Sequence, residues 1–383
     1  MTAATKDQVL DALRGVIDPD LGRDIVSLGF VTKAAVCDGH VSVTINLTTP
    51  ACPVKDKLRD EAHGLVAALP GVTKVDVEMT AEVRGSTAPR EIAPGVKHVI
   101  AVSSGKGGVG KSTTAVNLAI ALSRTGARVG IMDCDVYGPD IPMMMGLGGE
   151  PETTAERKLI PKTRHGIKTI SIGYLMEDDK PVVWRGPMVH KLIQQFLSDV
   201  VWGDLDYLLV DMPPGTGDAQ LSLAQIVPLS GAVLVTTPQA VSTFDVNKAV
   251  SMFAQVQVPI LGLIENMTGF AVRGQVEGGA SGQNVTIDTG LGQLSTQLDS
   301  DGRFETVVDI FGTGGGEALS TKHGFDVIGR IPLEPSVRLG GDAGDPVSIS
   351  HPEGVVAECF SKAAGMLARK VAIREHAELP ILQ

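Results

Sequence analysis

Short apolar runs separated by polar turns recur between residues 97 and 375 of this chain. Each run has the length of a strand that is buried on both faces of a parallel sheet, and helical periodicities lie between the runs. The pattern predicts an α/β domain whose mostly parallel sheet is covered by helices on both faces. The predicted strands are Val99–Val102, Ala127–Met132, Tyr207–Val210, Ala232–Thr236, Ile260–Ile264 and Val327–Ile331, and the clearest helices are Ser112–Thr125 and Glu353–Val371.

Residues 1–83 follow a different pattern, which predicts a separate small domain. A helical period is followed by two alternating strands, a second helix and a third strand, so the order is α-β-β-α-β. A segment with two prolines and several charges, residues 84–96, is predicted to be a linker. The predicted elements are helices Lys6–Ile17 and Pro53–Leu69 and strands Phe30–Val36, Val41–Leu47 and Val72–Met79.

The predicted P-loop domain, residues 97–375, contains a long polar and glycine-rich interruption. Alternation of Val, Ile and Leu with polar residues predicts a β-rich insertion at about residues 270–311, in the form of a hairpin or a small sheet. Residues 267–316 contain neither cysteine nor histidine. Residues 376–383 show no clear pattern and are treated as a tail.

Composition narrows the possible functions. The net charge of −11 argues against a nucleic-acid partner and against binding to an anionic membrane surface. No apolar run has the length of a membrane span and the N-terminus lacks a signal-peptide core, so we expect a cytoplasmic protein. The four cysteines are scattered without any CxxC pair, a pattern that predicts neither a disulfide framework nor a zinc ribbon.

A glycine-rich loop follows the first strand of the α/β domain. Residues 105–112 read GKGGVGKS, which fits the phosphate-loop pattern of Gly, four residues, Gly-Lys-Ser/Thr. The glycines let backbone N–H groups point inward around a phosphate, and the helix that starts here adds its positive end. Lys111 can then reach the β- and γ-phosphates, and Ser112 can offer its hydroxyl to Mg²⁺. The alternative is an ordinary glycine-rich turn.

Acidic residues follow two later strands of the predicted sheet. Asp133 and Asp135 come directly after one strand, and Asp211 ends another. Because ligands of open α/β sheets bind at the carboxyl ends of strands, we expect these carboxylates beside the phosphate loop. Asp211 then takes the Walker B position near the magnesium shell, and a carboxylate of the first pair can order a water molecule. The alternative for that pair is a solvated acidic turn.

The phosphate loop contains one lysine more than the general pattern requires. With Lys106 ahead of Lys111, it resembles the deviant Walker A loop of the MinD, ParA and nitrogenase-iron-protein group. In that group the early lysine crosses a nucleotide-bridged homodimer to the phosphates of the other subunit. The resemblance implies that Lys106 acts in trans and offsets charge on the transferred phosphoryl group, as an arginine finger does. The alternative is a solvated surface lysine.

Five motifs occur in an order that resembles the Mrp/ApbC iron–sulfur cluster carrier ATPases, over residues 1 to about 370. After the phosphate loop come DCDVYGPDIP from residue 133, DMPPGTGD from residue 211, TTPQ from residue 236 and ENM from residue 265. The resemblance implies a slow, switch-like ATPase that works as a homodimer with ATP and Mg²⁺. It also implies that iron–sulfur clusters are passed to acceptor apoproteins, with iron–sulfur assembly factors as further partners.

The same resemblance assigns roles to individual residues. Asp135 would position the hydrolytic water with Asp133 in support, Asn266 would bind the adenine edge, and Pro332 would pack on the ring. The implied catalytic residues are Lys106, Lys111 and Asp135; the nucleotide-binding residues are Gly105, Lys106, Gly107, Gly108, Val109, Gly110, Lys111, Ser112, Thr113, Asn266 and Pro332; and the magnesium residues are Ser112, Asp135 and Asp211, the last two through water.

The front domain resembles the PaaD-like domain that is tied to iron–sulfur maturation. The segments that carry this resemblance are DPD at residues 18–20 and TTPACP at residues 48–53. Cys52 matches the single cysteine of that family and is implied as an iron–sulfur ligand. We expect it at the start of the second helix, where the helix dipole lowers the pKa of a thiol. The alternative is a small buried core cysteine.

One departure from the carrier family concerns the cluster ligands. Carriers of this type place a CxxC shortly after ENM, where this chain has no cysteine. Three hypotheses follow: clusters are carried on Cys52, Cys134, Cys359 or partner thiols; the ATPase has another cargo; or the protein is a MinD- or ParA-like switch that transfers nothing. We adopt the first because the resemblance spans the whole chain, and keep the switch with a non-cluster cargo or partner as the alternative.

Overall fold

The computed structural model describes residues 4–52, 54–83, 92–176, 186–290 and 292–378. It begins with the predicted α-β-β-α-β order, except that the first helix ends at Leu13 and a pair of two-residue strands follows it, the first of which contains Ile17. Helix α1 starts in a capping box in which Thr5 and Gln8 satisfy each other's backbone N–H groups. Strand β4 alternates strictly, and its inward residues form the centre of this domain's core. The elements are α1 (Lys6–Leu13), β1 (Ile17–Asp18), β2 (Arg23–Asp24), β3 (Val31–Cys37), β4 (His40–Leu47), α2 (Lys55–Ala67) and β5 (Lys74–Ala81).

The predicted linker and its surroundings are only partly described. Residues 84–91 lie outside the described residues, and the first strand of the large sheet begins at Val96, the last residue of the predicted linker. The front domain contacts the large domain directly. Lys97 Nζ donates to the carbonyl oxygen of Val83 at 2.6 Å, and the hydroxyl oxygens of Thr49 and Tyr207 lie 3.3 Å apart in a buried position.

The large domain is built on a nine-stranded sheet, and its mostly parallel order confirms the predicted fold class. Its strand order is β15-β12-β11-β6-β10-β7-β9-β8, with β16 paired to β12. Only β8 and β15 pair antiparallel within the sheet. The strands are β6 (Val96–Ser104), β7 (Val129–Asp133), β8 (Lys162–Arg164), β9 (Ile167–Ser171), β10 (Leu205–Asp211), β11 (Gly231–Thr236), β12 (Ile260–Gln275), β13 (Asn284–Asp288), β14 (Gln293–Gln297), β15 (Arg303–Val308) and β16 (Val327–Leu333).

Helices cover both faces of this sheet and bury two separate apolar cores. On one face α3 and α11 pack together, and on the other α5, α6, α7 and α8 pack. The last helix runs from Val355 to Glu378, so it extends past the predicted end at 371 and into the predicted tail. The helices are α3 (Lys111–Arg124), α4 (Ile141–Met144), α5 (Gly186–Ser198), α6 (Asp218–Ile226), α7 (Ala240–Gln255), α8 (Gly315–His323), α9 (Pro335–Ala343), α10 (Val347–Ser350) and α11 (Val355–Glu378).

The insertion is only partly the separate hairpin or small sheet that its sequence suggests. Strands β13 and β14 do form an isolated antiparallel pair. Strand β15, in contrast, joins the large sheet, because β12 continues beyond the parallel region and pairs with it. Between the two halves of β12, two extra residues bulge out near Met267, whose φ is +60°. The bulge lets one strand belong to both the nucleotide domain and the insertion.

Strands β8 and β9 and the short helix α4 were absent from the sequence prediction. Strand β8 and helix α4, of three and four residues, are too short to display a periodicity of their own. No helix among the described ranges is both long enough and apolar enough to cross a membrane.

Candidate functional site

The carboxyl ends of three central strands meet at one edge of the sheet. In the parallel register, Asp211 at the end of β10 lies beside Val102 of β6 and beside Asp133 of β7. The phosphate loop leaves β6 at the same edge, since β6 ends at Ser104. The predicted convergence of the acids on the loop therefore exists in the structure.

The four glycines of the loop serve different purposes. Gly108 and Gly110 have φ values of +79° and +81°, which disfavour any side chain with a Cβ. Gly105 has a different role, because a Cβ there would lie 2.5 Å from the backbone nitrogen of Val246, which is inside helix α7. Gly107 has neither constraint, with Pro214 Cβ as its nearest neighbour at 4.0 Å. Only Gly108 and Gly110 thus give the loop its left-handed backbone turns, whereas the sequence suggested this role for all four glycines.

Replacing Gly110 by Ala is expected to disrupt the loop. The residue needs a left-handed backbone, and a new Cβ would collide with the side-chain amide of Asn266. A non-glycine residue held in such a conformation costs about 1–3 kcal/mol, so we expect lower thermal stability and weaker nucleotide binding. Gly64→Ala, on helix α2 in open space, is the control and should leave nucleotide affinity unchanged. Equal nucleotide titrations for the two variants would contradict the expectation.

Lys111 is buried and forms the centre of the site. Its Nζ lies 2.7 Å from Asp211 Oδ1 and 3.4 Å from Asp135 Oδ2. Burial opposes a charge here, but the carboxylates of Asp211 and Asp135 outweigh it and raise the pKa of Lys111. The neighbouring Ser112 Oγ donates to Asp211 Oδ2 at 2.6 Å. Lys111, Ser112 and Asp211 thus form one hydrogen-bonded unit.

Asp133 lies beside Asp211 in the sheet and is held by two hydrogen bonds. Its Oδ2 accepts a hydrogen bond from Ser171 Oγ at 2.7 Å, and its Oδ1 accepts the backbone N–H of Asp135 at 3.1 Å. Complete burial, and then the charge of Asp211, raise the pKa of Asp133 well above its usual range. Burial also raises the pKa of Asp211, although Lys111 opposes that shift. Ser171, at the end of β9, gave no signal in the sequence.

Asp135 divides its two carboxylate oxygens between two tasks. Oδ1 accepts the backbone N–H groups of Tyr137 and Gly138, at 3.1 and 3.3 Å, which closes a turn. Oδ2 points to Lys111. The side chain is therefore fixed by its own loop and faces the place where a γ-phosphate would lie beside Lys111.

Lys106 takes a different direction from Lys111. Its Nζ donates to Gln239 Oε1 at 3.5 Å, just beyond the end of β11, and Ser104 Oγ holds its backbone carbonyl at 2.9 Å. Within the described residues its ammonium group is not among the partners of Asp135 or Asp211. The carboxylates of Asp135 and Asp211 are instead contacted by Lys111.

Asn266 lies in β12 directly before the bulge, and Pro332 lies near the end of the neighbouring strand β16, since Asn266 pairs with Ile331 in the β12–β16 register. The side-chain nitrogen of Asn266 donates to the carbonyl oxygen of Val109 at 2.8 Å, so the amide is attached to the phosphate loop. The preceding Glu265 is buried and accepts the backbone N–H of Gly316, at the start of α8. The sequence analysis gave no role to Glu265.

Cys52 lies away from the nucleotide edge, in a small cavity of about 20 Å³ between the two domains. The prediction that a helix N-terminus lowers the pKa of this thiol is wrong. Burial raises the pKa of Cys52, and the backbone N–H of Val54 only partly offsets that effect. The helix itself begins at Lys55, and Pro53 lies outside the described residues.

The other three cysteines have separate environments. Cys37 is exposed, Cys134 is buried in a core, and Cys359 is half-buried against the other core. In the parts of the chain that the structure describes, no three His, Cys, Asp or Glu side chains are grouped so as to hold a metal ion.

The sheet, the glycine loop and the buried lysine together define the class of P-loop NTPases. Residues 95–281 match the family model described as the NUBPL iron-transfer P-loop NTPase, and residues 6–78 match the model of the iron–sulfur cluster assembly protein. The iron–sulfur cluster carrier protein of Deinococcus radiodurans is 45% identical over 375 residues, which cover 98% of each chain. This chain belongs to the iron–sulfur cluster carrier protein family.

Two further relatives agree with that assignment. The iron–sulfur cluster carrier protein of Synechocystis is 44% identical, with 96% of this chain and 98% of the relative covered. A solved nucleotide-binding protein from Archaeoglobus fulgidus, in complex with ADP, is 34% identical and superposes with a TM-score of 0.53. That match covers 69% of this chain and 92% of the solved one.

Proposed function

We propose that this protein hydrolyses ATP and carries iron–sulfur clusters to acceptor apoproteins, as a nucleotide-bridged homodimer in the cytoplasm. The observation that supports this most strongly is the 45% identity to a carrier protein through 98% of both chains, because it includes the front domain as well as the ATPase domain. Iron–sulfur assembly factors would deliver the cluster. The cluster is cargo in this proposal and need not be bound permanently.

The residues at the loop fit a nucleotide with its magnesium ion. Ser112 and Asp211 present hard oxygen donors within 2.6 Å of each other, and such oxygens are the ligands that Mg²⁺ prefers. Ser112 would hold the ion directly, and Asp211 and Asp135 through water. Magnesium, when bound, neutralises charge on the phosphates. The loop N–H groups and Lys111 would hold the phosphates, and Asn266, whose amide nitrogen is engaged by Val109, would accept from the adenine amino group through its oxygen.

Hydrolysis then needs a positioned water and a charge from outside the subunit. Asp135 would orient the water with Oδ2, while its other oxygen keeps the side chain in place. Lys106 of the second subunit would offset the charge that develops on the transferred phosphoryl group. Two incomplete sites would thus complete each other across the dimer.

Slow, switch-like turnover would follow because the segment after Asp211 is hydrogen-bonded to the start of the phosphate loop. Gly215, in the segment after Asp211, has a φ of +91°, and its N–H donates to the carbonyl of Ser104 at 3.1 Å, directly before the phosphate loop. Loss of the γ-phosphate would change the contacts of this segment and of the Asp135 turn together. The altered dimer interface would change the affinity for cargo or acceptor.

Cys52 would supply one thiolate to the cluster. Iron–sulfur clusters are commonly held by four cysteine thiolates, so the remaining ligands would come from a second copy or from a partner. The insertion between 267 and 316 has no cysteine, and this specific observation favours the alternative of an ATPase switch with a different cargo.

Replacing Cys52 by Ala is expected to abolish cluster uptake. Purified protein would be reconstituted anaerobically with iron and sulfide, and both elements would be counted per dimer while the visible absorption is recorded. Cys37→Ala removes an exposed cysteine of the same domain and is the matched control, expected to bind like the wild type. Uptake that is lost only in the Cys52 variant supports the carrier function on the front domain. Absence of a cluster from all three proteins, with ATPase activity intact, would favour the alternative switch.

A further inference from the structure

The surface of α11 that faces the front domain forms one wall of the Cys52 cavity. Arg369, Ala372 and Ile373 of this helix line the cavity opposite Cys52 and Asp20. The helix carries a glycine where the cysteine loop crosses it. A Cβ on Gly365 would lie 3.2 Å from the carbonyl oxygen of Ala51. The half-buried Cys52 is therefore bordered by both domains and not by its own domain alone.

One ion pair spans this cavity. The guanidinium of Arg369 pairs with the Asp20 carboxylate, and the Asp20 side chain is only 9% exposed. The neighbouring Asp18 does not compete for the arginine, because its Oδ1 accepts the N–H groups of Asp20 and Leu21 at 2.8 and 3.0 Å. That turn aims Asp20 across the domain boundary. Burial raises the pKa of Asp20, while the charge of Arg369 opposes the shift.

Helix α11 also connects the cavity to the nucleotide site. It packs in one core with α3, the helix whose first residues are Lys111 and Ser112. Its C-terminal part is fixed to the sheet, because Glu375 lies 3.4 Å from His98 on β6 and Lys370 pairs with Asp326. Arg369 is thus presented by a firmly anchored helix, so opening at this point would separate the front domain from the ATPase domain.

We propose that the Arg369–Asp20 ion pair is an interdomain latch that keeps the Cys52 thiol covered, and that opening of the latch exposes the thiol to cluster donors and acceptors. The inference rests on the proposed role of Cys52 as a cluster ligand. Arg369 is here a positioning residue that acts through the geometry of the cavity. Asp20 is the buried member of the pair, so removing Arg369 leaves an uncompensated charge there, which favours the open arrangement.

The latch is tested by the rate at which iodoacetamide alkylates Cys52 in the full chain, measured for each cysteine peptide by mass spectrometry. In Arg369→Gln and Asp20→Asn we expect on the order of tenfold faster alkylation of Cys52, since local opening controls access. Arg369→Lys keeps the charge and should restore a slow rate. Lys362→Gln removes a charge from an exposed position on the same helix and is the control.

The sign of the change separates the latch from a purely electrostatic role. If Arg369 only stabilised the thiolate, its removal would raise the thiol pKa and slow the alkylation, and that outcome would overturn the proposal. An unchanged rate would also overturn it. In the same samples, the alkylation rate of exposed Cys37 shows that the reagent is equally active, and alkylation of buried Cys134 would report unfolding of the ATPase core. The arginine variants decide the test, because the charge of Asp20 raises the thiol pKa and its removal would speed alkylation without any opening. If Arg369→Gln unfolds, Arg369→Met tests the same pair.

This measurement needs no cluster, so it fails independently of the proposed function. Faster alkylation of Cys52 in the variants, together with failed cluster reconstitution, would support the latch and contradict the proposal that Cys52 binds a cluster. If the cluster is reconstituted normally through Cys52 but alkylation is unchanged in both latch variants, cluster binding by Cys52 is supported and the latch proposal is overturned.

Discussion

Asparagine in place of Asp135 is expected to lower ATP turnover by about 10²–10⁴-fold, the usual contribution of a positioned acid–base group. The substitution preserves the shape of the side chain, and the amide oxygen can still accept the N–H groups of Tyr137 and Gly138. The charge that faces Lys111 is lost, but Asp211 still pairs with this lysine at 2.7 Å. We therefore expect nucleotide binding to persist while hydrolysis stops.

The measurement is single-turnover hydrolysis together with nucleotide titration and size-exclusion chromatography. The variant should accumulate as a dimer with ATP bound. Glu150→Gln removes an exposed carboxylate further along the same segment and should hydrolyse ATP like the wild type. Normal turnover in the Asp135 variant would refute its role in positioning water.

Alanine in place of Lys106 is expected to abolish turnover, with a loss on the order of 10³–10⁵-fold if this lysine does the work of an arginine finger. Its ammonium group lies against Gln239, so truncation leaves the Lys111–Asp211 unit of the same subunit intact. Most nucleotide binding should remain. Lys158→Ala, at an exposed position, is the control for loss of a surface charge.

Mixing the two inactive variants tests whether Lys106 acts in trans. In a mixed dimer, the subunit with Lys106→Ala keeps its own Asp135 and receives Lys106 from its partner, so one site is complete. Random pairing makes about half of the dimers mixed with one working site each, so about a quarter of wild-type turnover should return. A lysine that acts within its own subunit would leave every site defective, and the mixture would stay inactive.

Local spacing in the sequence was enough to predict the chemistry at the nucleotide edge. The phosphate loop, Asp133, Asp135 and Asp211 each follow a short apolar strand, and parallel strands bring their carboxyl ends to one edge. The structure places Asp211 and Asp133 in adjacent register and Lys111 between Asp211 and Asp135. No long-range information was needed, because strand ends and loop glycines are encoded within a few residues of each other.

The protonation of Cys52 illustrates where that reasoning fails. The local sequence suggested a thiol at a helix start with a lowered pKa, whereas burial between two domains raises it. The covering helix is more than 300 residues away along the chain, as Arg369 and Cys52 show. Similarly, β15 joins the main sheet only because β12 continues past a bulge, which alternation alone does not reveal.

The sequence by itself thus determined the fold class and the family resemblance, and it predicted which side chains meet at one edge of the sheet, since all of these depend on short motifs in a fixed order. Tertiary structure alone decided which oxygen of Asp135 faces Lys111, how Ser171 supports Asp133, and that Asp20 meets Arg369 above the Cys52 thiol. Those features depend on which distant segments pack together, and no local motif encodes that packing.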